Sequence, residues 1–388
     1  MIHRYQKKGL NFVLDVNSGA VHLLDDISYA VSGLLDENMG DTCPQSIIDA
    51  LPDYTADEIR EAYDELYELK KAGQLFAQDD YIDVSRYIPV NAPVKALCLH
   101  VAHDCNLRCQ YCFASTGDFG QGRKIMPPEI AKKAIDFVIA RSGVRHNIEV
   151  DFFGGEPLMA WDTVTQTVDY ARSLEEKYNK KFRFTITTNG LLLDEDKRKY
   201  INENMDNCVL SLDGRREVND EFRKTVAGTG SYDTIVPKFK ALVDERDPNL
   251  DYYARGTFTS HNLDFAEDVL SIADAGFDRL SVEPVTADPG CGYDLTEDDL
   301  PKIEAEYDRL TDIMLERKKE GKPFTFFHFM VDLDQGPCVV KRLRGCGAGY
   351  EYVAVTPDGD IYPCHQFVGK DEFKQGSVLD QSFNMDIA

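Results

Sequence analysis

Three cysteines in the loop Cys105-Asn106-Leu107-Arg108-Cys109-Gln110-Tyr111-Cys112 constrain this chain more than any other feature. The C-x3-C-x2-C spacing follows directly on an apolar, strand-like run, Lys95-Ala96-Leu97-Cys98-Leu99-His100-Val101-Ala102. Thiolates gathered so tightly converge on one soft metal centre, yet they leave a four-iron cluster one ligand short, so one iron stays open to another molecule. A structural zinc knot is the competing reading. Zinc favours paired C-x2-C hairpins with a fourth Cys or His nearby, and His100 and His103 keep that reading open.

With aromatic Tyr111 before its last cysteine, the loop resembles the signature of the radical S-adenosylmethionine (AdoMet) enzymes. The resemblance implies a [4Fe-4S] cluster on Cys105, Cys109 and Cys112. AdoMet then chelates the open iron and is cleaved reductively to a 5′-deoxyadenosyl radical that takes a hydrogen atom from substrate.

The rest of the chain is read around that loop. A hydrophobic content of 43% over 388 residues suits two or three globular domains. A formal net charge of −25 argues against nucleic acid as a partner. No signal segment and no run of about 18 apolar residues occurs, which points to a cytoplasmic protein with no membrane partner. In that compartment ten cysteines are ligands and reduced thiols rather than a disulfide framework. Cys98, inside the strand, is expected to be a core thiol.

Strand patterns near 147–153, 182–188, 207–212, 252–259 and 279–284 alternate with helix-length segments, predicting parallel βα units. With the strand before the cysteine loop they make a partial (β/α)6 barrel over residues 95–320, whose active site belongs at the carboxyl ends of the strands. Gly154-Gly155-Glu156, Thr188-Asn189-Gly190 and Ser211-Leu212-Asp213-Gly214 each follow a strand, so they share an end with the cysteine loop. The resemblance assigns Gly154, Gly155 and Glu156 to the AdoMet amino group, and Arg223 to its carboxylate. Thr188, Asn189, Ser211 and Asp213 offer groups for ribose hydroxyls or substrate, with Tyr111 beside them; each segment reads equally as a cap, a turn or a surface ion pair. Glu283 is a candidate substrate or active-site group, or a solvated carboxylate at the rim.

Residues 1–85 have another texture, with strands at 11–16 and 20–24 and helices at about 28–35 and 55–72. This order resembles the winged-helix-like leader-recognition element of ribosomal peptide-modifying enzymes. In those a precursor peptide adds a strand to an open sheet edge. Residues 86–94 read as a linker.

Cys338, Cys346 and Cys364 lie in the last segment, 321–388, where an Asp358-Gly359 turn joins two strands. This resembles the opening of a SPASM domain, which implies an auxiliary iron-sulfur cluster on those cysteines. The further cysteine series of that pattern is missing before Ala388, so the resemblance implies a truncated SPASM domain with an incomplete auxiliary site. Taken together, the chain most resembles the maturases of SCIFF peptides, which form thioethers between cysteine and an acceptor residue. Expected partners are a cysteine-rich precursor peptide with its leader and a reductant such as flavodoxin or ferredoxin. A sulfatase-maturating or other SPASM oxidising enzyme is the second reading, and an inactive cluster-bearing peptide-binding module the third.

Overall fold

The structure, a computed structural model, describes residues 1–79, 92–331 and 345–385, which group into two compact units. The first holds a three-stranded antiparallel sheet in the order β1 (Ile2–Lys7), β2 (Leu10–Asp15), β3 (Val21–Leu24), with helices α1 (Asp26–Ser32), α2 (Gln45–Ala50) and α3 (Ala56–Lys71). Lys8 and Gly9 both take positive φ, the demand of a two-residue type I′ hairpin. The second turn is tied by Asp15, whose Oδ1 accepts the Ser18 amide at 2.8 Å and the Ser18 hydroxyl at 2.9 Å. Helix α3 starts at a capping box of Thr55 and Glu58 and buries Ile59, Ala62, Tyr63 and Leu66 in a core shared with Val13 and Val31.

In the second unit β4 (Ala96–His103), with the short β5 (Lys124–Ile125) beside it, opens the barrel. There follow α4 (Pro128–Arg141), β6 (Asn147–Gly154), α5 (Trp161–Tyr178), β7 (Lys181–Thr188), α6 (Glu195–Asn204) and β8 (Asn207–Ser211). Next come α7 (Arg216–Phe222), α8 (Tyr232–Asp244), β9 (Asp251–Phe258), α9 (Phe265–Asp274), β10 (Arg279–Pro284), α10 (Leu300–Lys319) and β11 (Thr325–Phe326). The strands pair in parallel in the order β4-β6-β7-β8-β9-β10-β11. One face of β4, β6 and β7 buries Leu97, Leu99, Val150, Phe152, Phe184 and Ile186 under the helices, as crossover connections require.

The remaining strands are β12 (Tyr352–Val355), β13 (Asp360–Tyr362), β14 (Gly376–Ser377) and β15 (Ser382–Phe383). Strand β12 pairs in parallel with the outer edge of β4, Cys98 opposite Ala354, and β13, β14 and β15 continue antiparallel. The C-terminal hairpin is thereby a continuation of the barrel sheet. The fold is α/β, a partial barrel extended by this hairpin. Cys98 is buried in an apolar cluster with Ala114, Phe119, Ala354 and Tyr362. No helix among the described residues is long and apolar enough to cross a membrane.

Candidate active site

The carboxyl ends of β4 and β6 to β10 surround a cavity of about 260 Å³. Cys105, Cys109 and Cys112 line it together with Tyr111, Gly154, Gly155, Glu156, Thr188, Asn189, Ser211 and Arg223. Asp213 is not in the lining; it lies buried behind Tyr111 and Arg223.

The cysteine loop is held from two sides. Its backbone pairs with the chain after α7, Arg108 N donating to Lys224 O at 2.7 Å and Gln110 N to Phe222 O at 3.2 Å. Its side chain Tyr111 donates from the hydroxyl to Asp213 Oδ2 at 2.5 Å. Arg223 Nε lies 3.0 Å from the same oxygen without hydrogen-bond geometry, and Thr257 N donates to Oδ1 at 3.1 Å. Asp213 is fully buried, so this pair sits in a weakly screened environment. The Nη atoms of Arg223 make no hydrogen bond within the described residues, and Arg223 lines the cavity, which leaves its guanidinium accessible to an anion there.

Glu156, assigned with the glycine pair to the AdoMet amino group, has its carboxylate bonded within the protein. Its Oε1 accepts the Leu158 amide at 3.0 Å and the Thr188 hydroxyl at 2.7 Å, and its Oε2 accepts the Asn189 amide at 2.8 Å. Burial pushes its carboxyl up to about 7 against these bonds, which favour the charged form. Glu156 therefore ties the end of β6 to the loop after β7. Close approach explains the glycine pair: a Cβ on Gly154 would lie 2.3 Å from Ala102 O, and one on Gly155 2.1 Å from Asp104 O.

A four-iron cluster fits the three thiols on three observations. They open onto one cavity, and Gly117 makes room, since a Cβ there would lie 2.7 Å from Cys105 Cβ. Two N–H donors point at Cys105 Sγ, from Leu107 N at 3.4 Å and Asn189 Nδ2 at 3.6 Å, as suits a thiolate. Burial raises the Cys105 thiol to about 12 and the Cys109 thiol to about 11, with the Arg223 charge opposing the latter. Both are held neutral until a metal supplies the compensating charge. His100 and His103 do not join them: both are buried and turn to each other, His100 Nδ1 3.2 Å from His103 Nε2. Among the described residues no three His, Cys, Asp or Glu side chains converge on a single ion.

Of the C-terminal cysteines, Cys338 lies outside the described residues, Cys346 is exposed and Cys364 is half-buried after β13. The next residues, His365 and Gln366, line the cavity, a placement signalled in the sequence only by their position after Cys364. Burial, with the nearby Arg255 charge, lowers His365 to about 4, so its ring is neutral.

Residues 99–253 match the profile of the Radical SAM superfamily, and residues 346–387 match SPASM, an iron-sulfur cluster-binding domain. The chain carries a radical SAM domain followed by a SPASM domain. The radical SAM domain brings a 4Fe-4S cluster and AdoMet as cofactors, and the SPASM domain auxiliary iron-sulfur binding. A cysteine-type anaerobic sulfatase-maturating enzyme of Clostridium novyi is 25% identical over 299 residues, 72% of this chain and 75% of that one. The radical SAM cyclopropyl synthase TigE of Paramaledivibacter caminithermalis is 29% identical over 197 residues, 46% of this chain and 40% of TigE. An Archaeoglobus fulgidus protein, 25% identical, is spanned over 64% of its length with 72% of this chain, so several relatives are longer than the part matched. In fold, Streptococcus suis SuiB bound to its precursor peptide SuiA superposes with a TM-score of 0.56 at 16% identity, covering all of this chain and 86% of SuiB.

Proposed function

We propose that this chain installs thioether crosslinks between cysteine and an acceptor residue of a ribosomally made precursor peptide. The observation that carries the reading is the single cavity in which the three thiols, the glycine pair and the polar ends of β7 and β8 meet. Cluster and AdoMet, when bound, supply hydrogen-atom abstraction from a C–H bond. Cys105, Cys109 and Cys112 would hold the cluster; the Gly154 to Glu156 segment would receive the AdoMet amino group, and Arg223 its carboxylate. Thr188, Asn189 and Ser211 would serve the ribose hydroxyls or the substrate, and Asp213 would act through Tyr111 and Arg223. Cys338, Cys346 and Cys364 are the proposed ligands of an auxiliary cluster, which would bind the substrate thiol.

The leader is proposed to pair with β3, an edge strand whose Leu23 is 61% exposed. SuiB's complex with a precursor peptide supports a peptide substrate by likeness alone. Likeness to the Clostridium enzyme favours a second reading, oxidation of one residue without crosslinking.

The deciding experiment is mass spectrometry of a leader-bearing, cysteine-rich precursor peptide after anaerobic incubation with cluster-loaded protein, AdoMet and a strong reductant. Loss of two hydrogens per crosslink, with the cysteine no longer alkylatable, is expected. Loss of two hydrogens with the cysteine still alkylatable supports the second reading. Cluster-loaded protein that forms no 5′-deoxyadenosine refutes both.

A further inference from the structure

One wall of the cavity carries none of the residues proposed for AdoMet. There β9 and β10 lie in parallel register, Arg255 beside Ser281 and Thr257 beside Glu283, and Arg255, Thr257 and Glu283 all line the cavity. Glu283 is braced from behind. Ser281 Oγ donates to its Oε1 at 2.5 Å, and His328 Nε2 lies 2.9 Å from its Oε2. Tyr307 OH lies 2.8 Å from His328 Nδ1. A tyrosine hydroxyl donating to Nδ1 leaves the ring proton on Nε2, directed at Glu283, so the donors run in one sequence toward the carboxylate. Burial pushes the Glu283 carboxyl up, but the bonds from Ser281 and His328 and the Arg255 charge outweigh it, and the group ends below its usual range. It is therefore a fixed negative charge rather than a ready proton acceptor, with a lone pair left on each oxygen.

Arg255 is the complement. Among the described residues its guanidinium makes no hydrogen bond and no ion pair, in a chain where 68 acidic residues outnumber 43 basic ones. A fixed acceptor and an unpaired donor on adjacent strands match the main-chain N–H and C=O of one residue.

Resting on the proposed peptide substrate, we infer that Glu283 and Arg255 clamp the main chain of the residue to be modified. Glu283 accepts its N–H and Arg255 donates to its C=O, while Ser281, His328 and Tyr307 are positioning residues. Reading the main chain leaves the side chain free to turn toward the thiol wall, so tolerance of different acceptor residues follows.

The test is an amide-to-ester scan. Precursor peptides in which each core amide in turn is an ester, which lacks the N–H, are bound to cluster-loaded protein with AdoMet and followed by fluorescence anisotropy. One position is expected to weaken binding to wild type by roughly 10- to 100-fold, the size of a hydrogen bond to a charged group. Glu283→Gln should weaken the all-amide peptide and lose most of that ester sensitivity, whereas Arg255→Met should weaken the peptide and keep it. The inference is overturned if no ester position matters to wild type, if Glu283→Gln stays fully ester-sensitive, or if the two variants weaken AdoMet rather than peptide. Wild-type protein that binds none of the peptides overturns the peptide reading itself.

Discussion

Replacing Asp213 by Asn tests the buried knot under the cysteine loop. The carboxylate is fully buried, accepts Tyr111 OH at 2.5 Å and Thr257 N at 3.1 Å, and pairs in charge with Arg223, whose Nε lies 3.0 Å away. Asn keeps the shape but removes the charge, leaving Arg223 as a cation with 11% of its side chain exposed and no counter-ion. Breaking one side of such a pair costs about 3–5 kcal/mol, most of it from the charge left behind. Trp161 is the sole tryptophan and starts α5, so its fluorescence during urea unfolding of the metal-free protein reports the barrel unit. Asp213→Asn is expected to lower barrel stability by about 4 kcal/mol. The double variant Asp213→Asn/Arg223→Met, which removes the stranded charge as well, should be more stable than the single one. Iron bound after reconstitution should fall in Asp213→Asn, because Tyr111 stands between Cys109 and Cys112, two of the proposed ligands. A single-variant loss under about 1 kcal/mol, or strictly additive losses in the pair, refutes the argument.

Gly154→Ala should destabilise the barrel by about 2–4 kcal/mol, since the residue has φ +123° and its new Cβ would meet Ala102 O; urea unfolding checks it. Glu156 sets a pH dependence. Its folded carboxyl sits at about 7 against an ordinary 4.5, so its stabilising contribution is complete below pH 4.5 and lost as pH rises through 7. Relative to Glu156→Gln, the metal-free wild type should lose about 3 kcal/mol between pH 4.5 and 8, and a flat difference would contradict the burial argument. In the N-terminal unit, Asp15→Ala should cost about 1–3 kcal/mol, because the buried carboxylate also accepts the Ala77 amide at 3.1 Å; hydrogen exchange at Ser18 and Ala77 would report the loss.

Much of the barrel was legible because each crossover unit is written locally. Six apolar runs of strand length, separated by amphipathic segments, leave few alternatives to a parallel sheet, and strand-end motifs then fall on one rim whatever the details of packing. The structure places β6 at Asn147–Gly154 and β10 at Arg279–Pro284, against sequence readings of 147–153 and 279–284. The first strand, Ile2–Lys7, was not read from sequence: its hairpin turns on Lys8-Gly9 rather than Asn-Gly, and its exposed side chains lack a clear alternation. Short α2 was missed as well, since six residues give no period.

By itself the sequence determined the cysteine spacing, the order of strands and helices, and the glycines that allow two strand ends to touch. Those are properties of neighbours along the chain. Tertiary structure alone decided that β12, some 250 residues away, lies against β4 and brings His365 to the cavity. It also decided that Glu156 bonds within the protein, and that Arg223 and Tyr111 share Asp213. The physical reason is that a charged side chain's role depends on which partner burial leaves beside it, and burial is a property of the assembled sheet.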